Sequence, residues 1–398
     1  MLKNWYTKFS SQPHQPFFTS GILFLLLYMF LLLGIYSNTI LVLGSIIDFH
    51  VYPMLFIIFI QFFLGFLLVV FPRFLMQAGI EPKVYMRHFF LYLFGSTLFF
   101  IALFISPYLQ IFAMFILFFA QGLSFYHLLK IWKKSLMQDK NDTFWILISF
   151  ASGLLAHFLF IVSFFTPHLT YGIQQIAINI GFYLFLFMLI FSVSQRMIPQ
   201  FISFKLEGYT INKTKHIMGI VYGLLTLKVI TLFWDNEALN IIADLPLLVF
   251  FTRELWKWKL SFRNVPAIIW VLYLALLWIP IGFFFSLLIS WSYLLGATSF
   301  IFERIIIHTF ALGFFMTMLI GFGTRVILGH SGRTPTADKT AIALFIFFQL
   351  VVLVRIFTSI CANFGLDYMF WISHSALLFI LVLIAWSIKY LWILIKGT

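Results

Sequence analysis

Residues 305–333, IIIHTFALGFFMTMLIGFGTRVILGHSGR, combine a long apolar run with a polar end. Between Ile305 and Thr324 the run contains no Asp, Glu, Lys or Arg. A mainly apolar segment of about 18 residues or more can cross the hydrocarbon core of a bilayer as a helix, because that core is about 30 Å thick. The stretch therefore predicts a transmembrane helix whose polar end carries two arginines, a histidine and two glycines.

The whole chain has the same character. It is 63% hydrophobic and 9% charged, with a mean hydropathy of +1.06, unlike a soluble globular domain. Twelve segments are long and apolar enough to span a membrane, namely residues 17–36, 50–72, 88–106, 108–132, 143–166, 171–198, 215–234, 238–258, 264–290, 298–328, 339–361 and 367–394. We therefore predict an all-α, polytopic transmembrane helical bundle.

The loop charges predict its orientation. Nearly all of the 25 basic residues fall in one set of alternate loops, and only Lys228, Arg304 and Arg355 lie elsewhere. That set contains Lys3, Lys8, Arg73, Lys83, Arg87, Lys130, Lys133, Lys134, Lys140, the basic residues of 196–215 and 253–263, Arg325, Arg333, Lys339, Lys389 and Lys396. The opposite loops carry Asp48, Asp235, Glu237 and Asp367. Because cytoplasmic loops are rich in Lys and Arg, we predict about twelve spans with both termini cytoplasmic, in an inner (cytoplasmic) membrane.

This topology accounts for the net charge of +13, so the charge does not indicate a nucleic-acid partner. The expected partner is the lipid bilayer with its anionic headgroups. The single cysteine, Cys361, excludes an internal disulfide and a cysteine-rich metal site. No linker or low-complexity tract interrupts the helices, which predicts one integral membrane domain over residues 1–398.

Four histidines form the most informative polar group at membrane depth. By the predicted topology, His50, His157, His308 and His374 lie in or beside the outer half of the membrane. Ionisable side chains at this depth usually face the bundle interior, and a neutral imidazole is a good ligand for haem iron or copper. The group therefore predicts a cofactor layer, although each histidine taken alone could instead hydrogen-bond a neighbouring helix. Met54 lies one helical turn after His50 and would suit a copper ion or an axial haem position.

The helix of residues 305–333 carries a second histidine, His330, about 33 Å along the helix from His308. The two therefore cannot share one metal ion. Between them Gly313, Thr317 and Gly321 form a stripe of small residues, which allows close approach of a neighbouring helix or of a flat macrocycle. Gly332 and Pro335 predict the helix stop.

Several motifs resemble the signature of the NnrS family, integral membrane proteins associated with haem, copper and the bacterial nitric oxide response. The signature helix is matched by His308, Met316, Thr324, Arg325, Gly329, His330, Gly332 and Arg333. The family's Arg-x-Ile-Pro motif is similar to Arg196, Ile198 and Pro199, and PFF at 16–18 resembles its N-terminal start. With VPAIIWVLYLALLWIPIG before and through the ninth helix, the likeness runs from about residue 16 to 335.

The chain departs from the family pattern in two helices. The family's second helix usually opens with His-x-His-Glu-Met, whereas this chain has HVYPM, with Tyr52 and Pro53 at the changed positions. Tyr273 stands where the family commonly has another histidine. The resemblance therefore implies haem as the cofactor and leaves copper open, because two imidazoles and a carboxylate are missing.

The resemblance implies a set of site residues and a function. The expected cofactor-binding residues are His50, Met54, His308, His330, Arg196, Arg325 and Arg333, and the expected metal ligands are His50 and His308, with His157 and His374 as further candidates. Arg325 and Arg333 either anchor the helix at the membrane surface or, with His330, also bind haem propionates or another anion. The function implied is that of a haem-binding, or haem-copper, protein of the nitric oxide and nitrosative stress response, acting on nitric oxide or another small molecule.

A permease is the alternative, with the buried histidines, Lys228 and Arg355 forming a substrate or proton pathway. Transporters often show inverted repeats and broken helices, and no clear repeat is visible in this sequence. The sequence leaves open whether the protein catalyses a reaction.

Overall fold

The computed structural model describes residues 2–234, 236–260, 262, 265–297 and 299–397. Asp235 and Arg263, which were considered above for their charges, lie outside the described residues. Within the described part the fold is all-α, with thirteen helices, which are α1 (Leu2–Phe9), α2 (His14–Tyr36), α3 (Ile47–Phe74), α4 (Pro82–Ile105), α5 (Pro107–Lys134), α6 (Asn141–Ser163), α7 (Thr170–Ser203), α8 (Ile217–Thr231), α9 (Ile241–Lys257), α10 (Ala267–Leu294), α11 (Ile305–His330), α12 (Lys339–Thr358) and α13 (Tyr368–Lys396).

The predicted apolar segments correspond one by one to α2 to α13, which confirms the all-α polytopic bundle. Ten of these helices are long and apolar enough to cross a membrane, so the chain is a multi-pass membrane protein. The other two, α8 and α9, have 15 and 17 residues. They are short because polar turns enclose them, including the 3-10 turn Glu237–Asn240.

Three helices contain stretches of π-helix. These are Ile47–Val51 and Met54–Ile58 in α3, Ile180–Phe187 in α7 and Thr309–Met316 in α11. Counted along α2 to α13, they are the second, sixth and tenth helices, so a π stretch recurs at every fourth helix. Short π segments are rare and often mark functional sites. Those in α3 and α11 include or directly follow the candidate ligands His50, Met54 and His308.

The chain forms two compact units. Unit 1 contains the chain up to Leu189, the segment His330–Gly332 and the chain from Leu383 onward. Unit 2 contains Ile190–Gly329 and Arg333–Val382. The single domain predicted from the sequence stays a prediction.

In unit 1, α2 and α3 pack through glycines that receive aromatic rings. A Cβ atom at Gly65 of α3 would lie 2.8 Å from the ring of Phe18, and one at Gly21 of α2 would lie 3.0 Å from the ring of Phe62. Each helix therefore offers a glycine to a phenylalanine of the other. Close packing of this kind is the usual driving force for helix association in lipid, where both surfaces are already apolar.

The same arrangement joins α10 and α11 in unit 2. The ring of Phe310 lies over Gly282, and a Cβ at Gly313 would lie 2.5 Å from Cγ of Trp278. A Cβ at Gly321 would similarly lie 2.6 Å from Leu272. The small-residue stripe of α11 therefore admits a neighbouring helix, which was one of the two alternatives drawn from the sequence. Thr317 of this stripe accepts a hydrogen bond of 3.2 Å from Gln349 of α12.

The loop before α8 is held to the end of α9 by hydrogen bonds. Glu254 accepts hydrogen bonds at Oε1 from the backbone N–H of Thr214 and from Nε1 of Trp258, both at 2.9 Å, and at Oε2 from the Thr214 hydroxyl. The hydroxyl of Tyr209 donates to the Trp258 carbonyl oxygen at 2.8 Å, and partial burial raises the pKa of Tyr209. These contacts order a polar loop. From the sequence alone, this segment is recognised only as a loop between two helices.

Candidate functional site

His308 stands at the start of α11, directly before its π stretch. Its Nδ1 lies 3.0 Å from the carbonyl oxygen of Arg304, which can only accept, so Nδ1 carries the proton. Its Nε2 lies 3.4 Å from Nη2 of Arg355, which can only donate. Both contacts assign the same tautomer, in which Nε2 holds the lone pair. A backbone carbonyl that fixes the tautomer in this way is the usual companion of a metal-ligating histidine.

His374 on α13 has the same arrangement in a more exposed position. Its Nδ1 lies 2.7 Å from the carbonyl oxygen of Phe370, and its ring lies over the Phe370 ring with centroids 3.9 Å apart. Nε2 is therefore the nitrogen with the lone pair. His308 and His374 both belong to unit 2.

His50 and Met54 lie in the two π stretches of α3, in unit 1, and both are half-buried. The helix begins where Asp48 accepts hydrogen bonds from the backbone N–H and the hydroxyl of Ser45, at 2.8 and 3.0 Å. This turn sets the start of α3 just before His50.

His157 on α6 is buried, with 1% of its surface exposed, and both ring nitrogens are engaged. Nε2 lies 2.8 Å from the hydroxyl of Tyr52, and Nδ1 lies 2.8 Å from Oε1 of Gln121 on α5. Tyr52 is itself fully buried among Phe56, Phe99 and other rings. The tyrosine that replaces the family's second histidine is therefore hydrogen-bonded to a candidate ligand, and a metal ion would have to displace one of these two bonds.

His330 at the end of α11 lies against a histidine that the sequence analysis did not select. The ring centroids of His14 and His330 are 4.8 Å apart, both in unit 1. His14 is 2% exposed, and its Nδ1 has no hydrogen-bond partner among the described residues. The signal that could have found His14 is its place two residues before the PFF motif, at the start of the first apolar segment.

The three predicted arginines lie in unit 2 and differ in their surroundings. The guanidinium carbon of Arg325 lies 3.9 Å from the ring centroid of Phe201, which is a cation-π contact. Arg333 is exposed and follows the helix stop, where Gly332 has a φ of +70° and the Arg333 N–H donates to the Leu328 carbonyl at 3.1 Å. Arg196 is half-buried on α7. These positions fit anchoring at the membrane surface.

The end of α11 that carries the Gly-His-x-Gly-Arg motif, which we call the signature end, borders open space. A Cβ atom at Gly329 or at Gly332 would meet nothing within 4 Å, in contrast to Gly313 and Gly321 of the same helix. The glycines of the Gly-His-x-Gly-Arg motif therefore border open space, whereas those in the middle of the helix are filled by α10.

Two of the three basic residues that lie outside the basic loops make contacts with polar side chains. Lys228 is buried in an ion pair with Asp244, with Nζ and Oδ2 2.9 Å apart. Arg355 donates to the Ser359 hydroxyl at 2.9 Å as well as to His308. Sequence reasoning selected Lys228 and Arg355 but missed Asp244 and Gln121, because a single Asp or Gln in an apolar segment does not reveal its partner.

No group of three or more His, Cys, Asp or Glu side chains converges on one point within the described residues.

Fold and site together define a class of protein. This is a polytopic α-helical membrane protein with histidines at π-helical stretches and an arginine-flanked Gly-His-x-Gly-Arg helix end. The chain belongs to the NnrS family, since the family model described as NnrS protein matches residues 8–397. The match extends beyond the motifs, which covered residues 16 to 335, and includes the last two helices. No curated protein sequence matches the chain significantly.

Proposed function

We propose that the chain is a haem-binding protein of the bacterial inner membrane that acts in the response to nitric oxide and nitrosative stress. Membership of the NnrS family supports this proposal. The observation that carries it within the structure is the tautomer of His308. A carbonyl oxygen holds Nδ1–H and directs the Nε2 lone pair away from its own helix, beside a π stretch.

In this proposal His308 would hold the iron through Nε2. His50 and Met54 would offer donors within unit 1. Arg355, whose Nη2 lies 3.4 Å from Nε2, would have to move its guanidinium group aside to admit the iron. The helix end with Arg325, His330 and Arg333 would bind the anionic propionates through charge-assisted hydrogen bonds, as would Arg196. A Cβ atom at Gly329 would meet nothing within 4 Å, which leaves space beside this helix end. Bound haem iron supplies reversible coordination of nitric oxide and exchange of one electron.

The donor set of α3 does not fit a copper ion. Tyr52 and Pro53 stand where the family has imidazole and carboxylate donors, and both nitrogens of His157 are hydrogen-bonded. We therefore propose haem without copper for this chain.

The test is the visible absorbance of the purified protein, compared between variants at equal expression. We expect a haem spectrum in the natural protein that shifts when nitric oxide is added to the reduced form. His308→Ala should shift the spectrum or remove the haem, while the protein still inserts, because insertion depends on hydrophobicity and flanking charge. His330→Ala and Arg333→Ala should keep axial ligation and release haem more readily.

His168→Ala is the matched control, because this histidine is exposed in a loop and belongs to no motif. It should leave the spectrum unchanged. If His308→Ala keeps the natural spectrum while His330→Ala loses the haem, the ligand assignment is inverted. A natural protein without bound haem contradicts the proposal itself.

A permease is the second candidate, and the observation that favours it is the buried Lys228–Asp244 pair. Charged groups at membrane depth are costly and usually mark a pathway for ions or substrates.

A further inference from the structure

A buried ion pair occupies the interface of α8, α9 and α10 in unit 2. Lys228 of α8 and Asp244 of α9 are 1% and 0% exposed, with Nζ and Oδ2 2.9 Å apart. Ser286 of α10 donates to the same Oδ2 at 2.6 Å and accepts from Nζ at 3.1 Å. Three helices therefore contribute one polar group each to a site that none of the family motifs quoted above includes.

The pair is incompletely satisfied. Oδ1 of Asp244 is buried and has no hydrogen-bond partner among the described residues. An unpaired carboxylate oxygen is costly in an apolar interior, and two well-packed apolar side chains would be as stable as a buried ion pair. The free oxygen therefore indicates a ligand that binds there, and the smallest ligand for a carboxylate oxygen is a proton.

Glu254 shows what a purely structural carboxylate looks like on the same helix. It is 1% exposed, and donors reach both of its oxygens, from Thr214 and Trp258. Asp244 and Glu254 thus share helix and burial and differ in that one oxygen of Asp244 is available.

A row of polar side chains leads from the surface towards the pair. Glu237 is exposed, and its Oε2 accepts from Nδ2 of Asn240 at 2.9 Å. Oδ1 of Asn240 accepts from the Thr231 hydroxyl at 2.9 Å. Asn240 and Thr231 are both buried, and they stand one helical turn from Asp244 and Lys228 respectively. We call Glu237, Asn240 and Thr231 the polar seam.

We propose that Asp244, paired with Lys228, is a proton-binding site inside unit 2, and that the polar seam is its route of access. This inference does not depend on haem binding, and a permease would be one use of such a site.

Binding adds one proton and breaks no bond. An O–H bond forms at Oδ1 of Asp244, and the net charge of the pair changes from zero to +1; release reverses both changes. The charged side chains that act on Asp244 are Lys228 on α8 and Glu237 at the exposed end of the polar seam. From α10 the contact is the neutral hydroxyl of Ser286.

Dicyclohexylcarbodiimide tests the site, because it reacts preferentially with protonated carboxyl groups in apolar surroundings. The full chain in sealed proteoliposomes is treated over a series of pH values and mapped by peptide mass spectrometry. We expect an adduct at Asp244 whose yield rises as the pH falls, and none at Glu254. Lys228→Met should raise the yield at neutral pH about tenfold or more, because it removes the opposite charge that keeps the carboxyl group ionised.

The measurement on the natural protein needs no variant and so cannot fail through misfolding. A purely structural pair gives no Asp244 adduct at any pH, and that result overturns the proposal, as does equal modification of Asp244 and Glu254. The route is tested by varying the pH on one side of the vesicle only. The yield should follow the pH on the Glu237 side, and Thr231→Val with Asn240→Leu should weaken that dependence; a yield that follows the other side overturns the route.

Discussion

Tyr52 shows how one residue changes a site. In the family pattern its position holds a histidine, and in this chain its hydroxyl hydrogen-bonds Nε2 of His157 at 2.8 Å. Gln121 engages the other nitrogen of the same ring. The replacement therefore removes one donor and occupies a second, which a count of missing histidines would not reveal.

The Tyr52 hydroxyl should contribute measurably to stability. Tyr52→Phe keeps the ring and leaves Nε2 of His157 buried without a partner, so we expect a loss of about 1 kcal/mol in the free energy of unfolding. Tyr28→Phe is the control, because the Tyr28 hydroxyl is fully buried and has no hydrogen-bond partner among the described residues. That variant should be as stable as the natural protein or more so. Thermal unfolding in detergent compares them, and equal losses would show that the Tyr52 bond contributes nothing.

Copper binding should be recoverable on α3. Tyr52→His with Pro53→Glu restores an imidazole and a carboxylate between His50 and Met54, and it frees one nitrogen of His157. We expect metal analysis to find no stoichiometric copper in the natural protein and about one ion per chain in the double variant. Stoichiometric copper in the natural protein would contradict our interpretation of the HVYPM segment.

At the scale of helices, glycines decide which elements touch. Gly282 and Gly313 each receive a ring from the facing helix, Phe310 and Trp278 respectively, so α10 and α11 interlock. Lipid tails are as apolar as these side chains, so the association rests on such close fit. The end of α11 is different, because Gly329 borders open space.

Alanine should separate these two kinds of glycine. A Cβ at Gly313 would lie 2.5 Å from Cγ of Trp278, so Gly313→Ala should destabilise the protein by about 1–3 kcal/mol through overpacking. Gly329→Ala meets nothing within 4 Å and should be neutral or gain up to about 1 kcal/mol in helix propensity. Thermal unfolding of both variants in detergent is the measurement. Similar losses in both would mean that the fit of α10 against α11 is looser than described.

At the scale of the whole molecule, the topology depends on α8 and α9. With 15 and 17 residues they rise about 22 and 26 Å, less than a hydrocarbon core of about 30 Å. Local thinning of the bilayer can compensate for the missing length, and so can the residues of the flanking turns. The Lys228–Asp244 pair lies within this short hairpin.

Reporter fusions should show whether the hairpin crosses. We expect fusions at Lys134 and Lys213 to report the cytoplasm, because both lie in basic loops, and a fusion at Glu237 to report the periplasm. A cytoplasmic signal at Glu237 would mean that α8 and α9 do not span the membrane. Reversed signals at Lys134 and Lys213 would contradict the predicted orientation of both termini.

The sequence by itself determined the class of fold, the places of the helices and the family. Hydrophobicity summed over a segment decides whether a helix enters lipid, so all twelve segments were found as helices. Sequence also selected His308 and the signature end of α11, because these residues stand in order along one helix. The sequence predicted twelve spans of similar length and did not indicate that α8 and α9 are short. The apolar segments read from the sequence extend a few residues into the polar turns where these two helices end.

Only the tertiary structure decided which polar groups meet. His157 meets Tyr52 and Gln121 across three helices, His14 meets His330, and Lys228 meets Asp244. The partners in each case are far apart in the chain or on different helices. The partner of a single polar residue in an apolar segment cannot be identified from the sequence. Which side of a helix faces which neighbour is set by packing at contacts such as Gly313 against Trp278. The tautomer of His308 was decided in the same way, by a carbonyl one turn earlier and a guanidinium group on another helix.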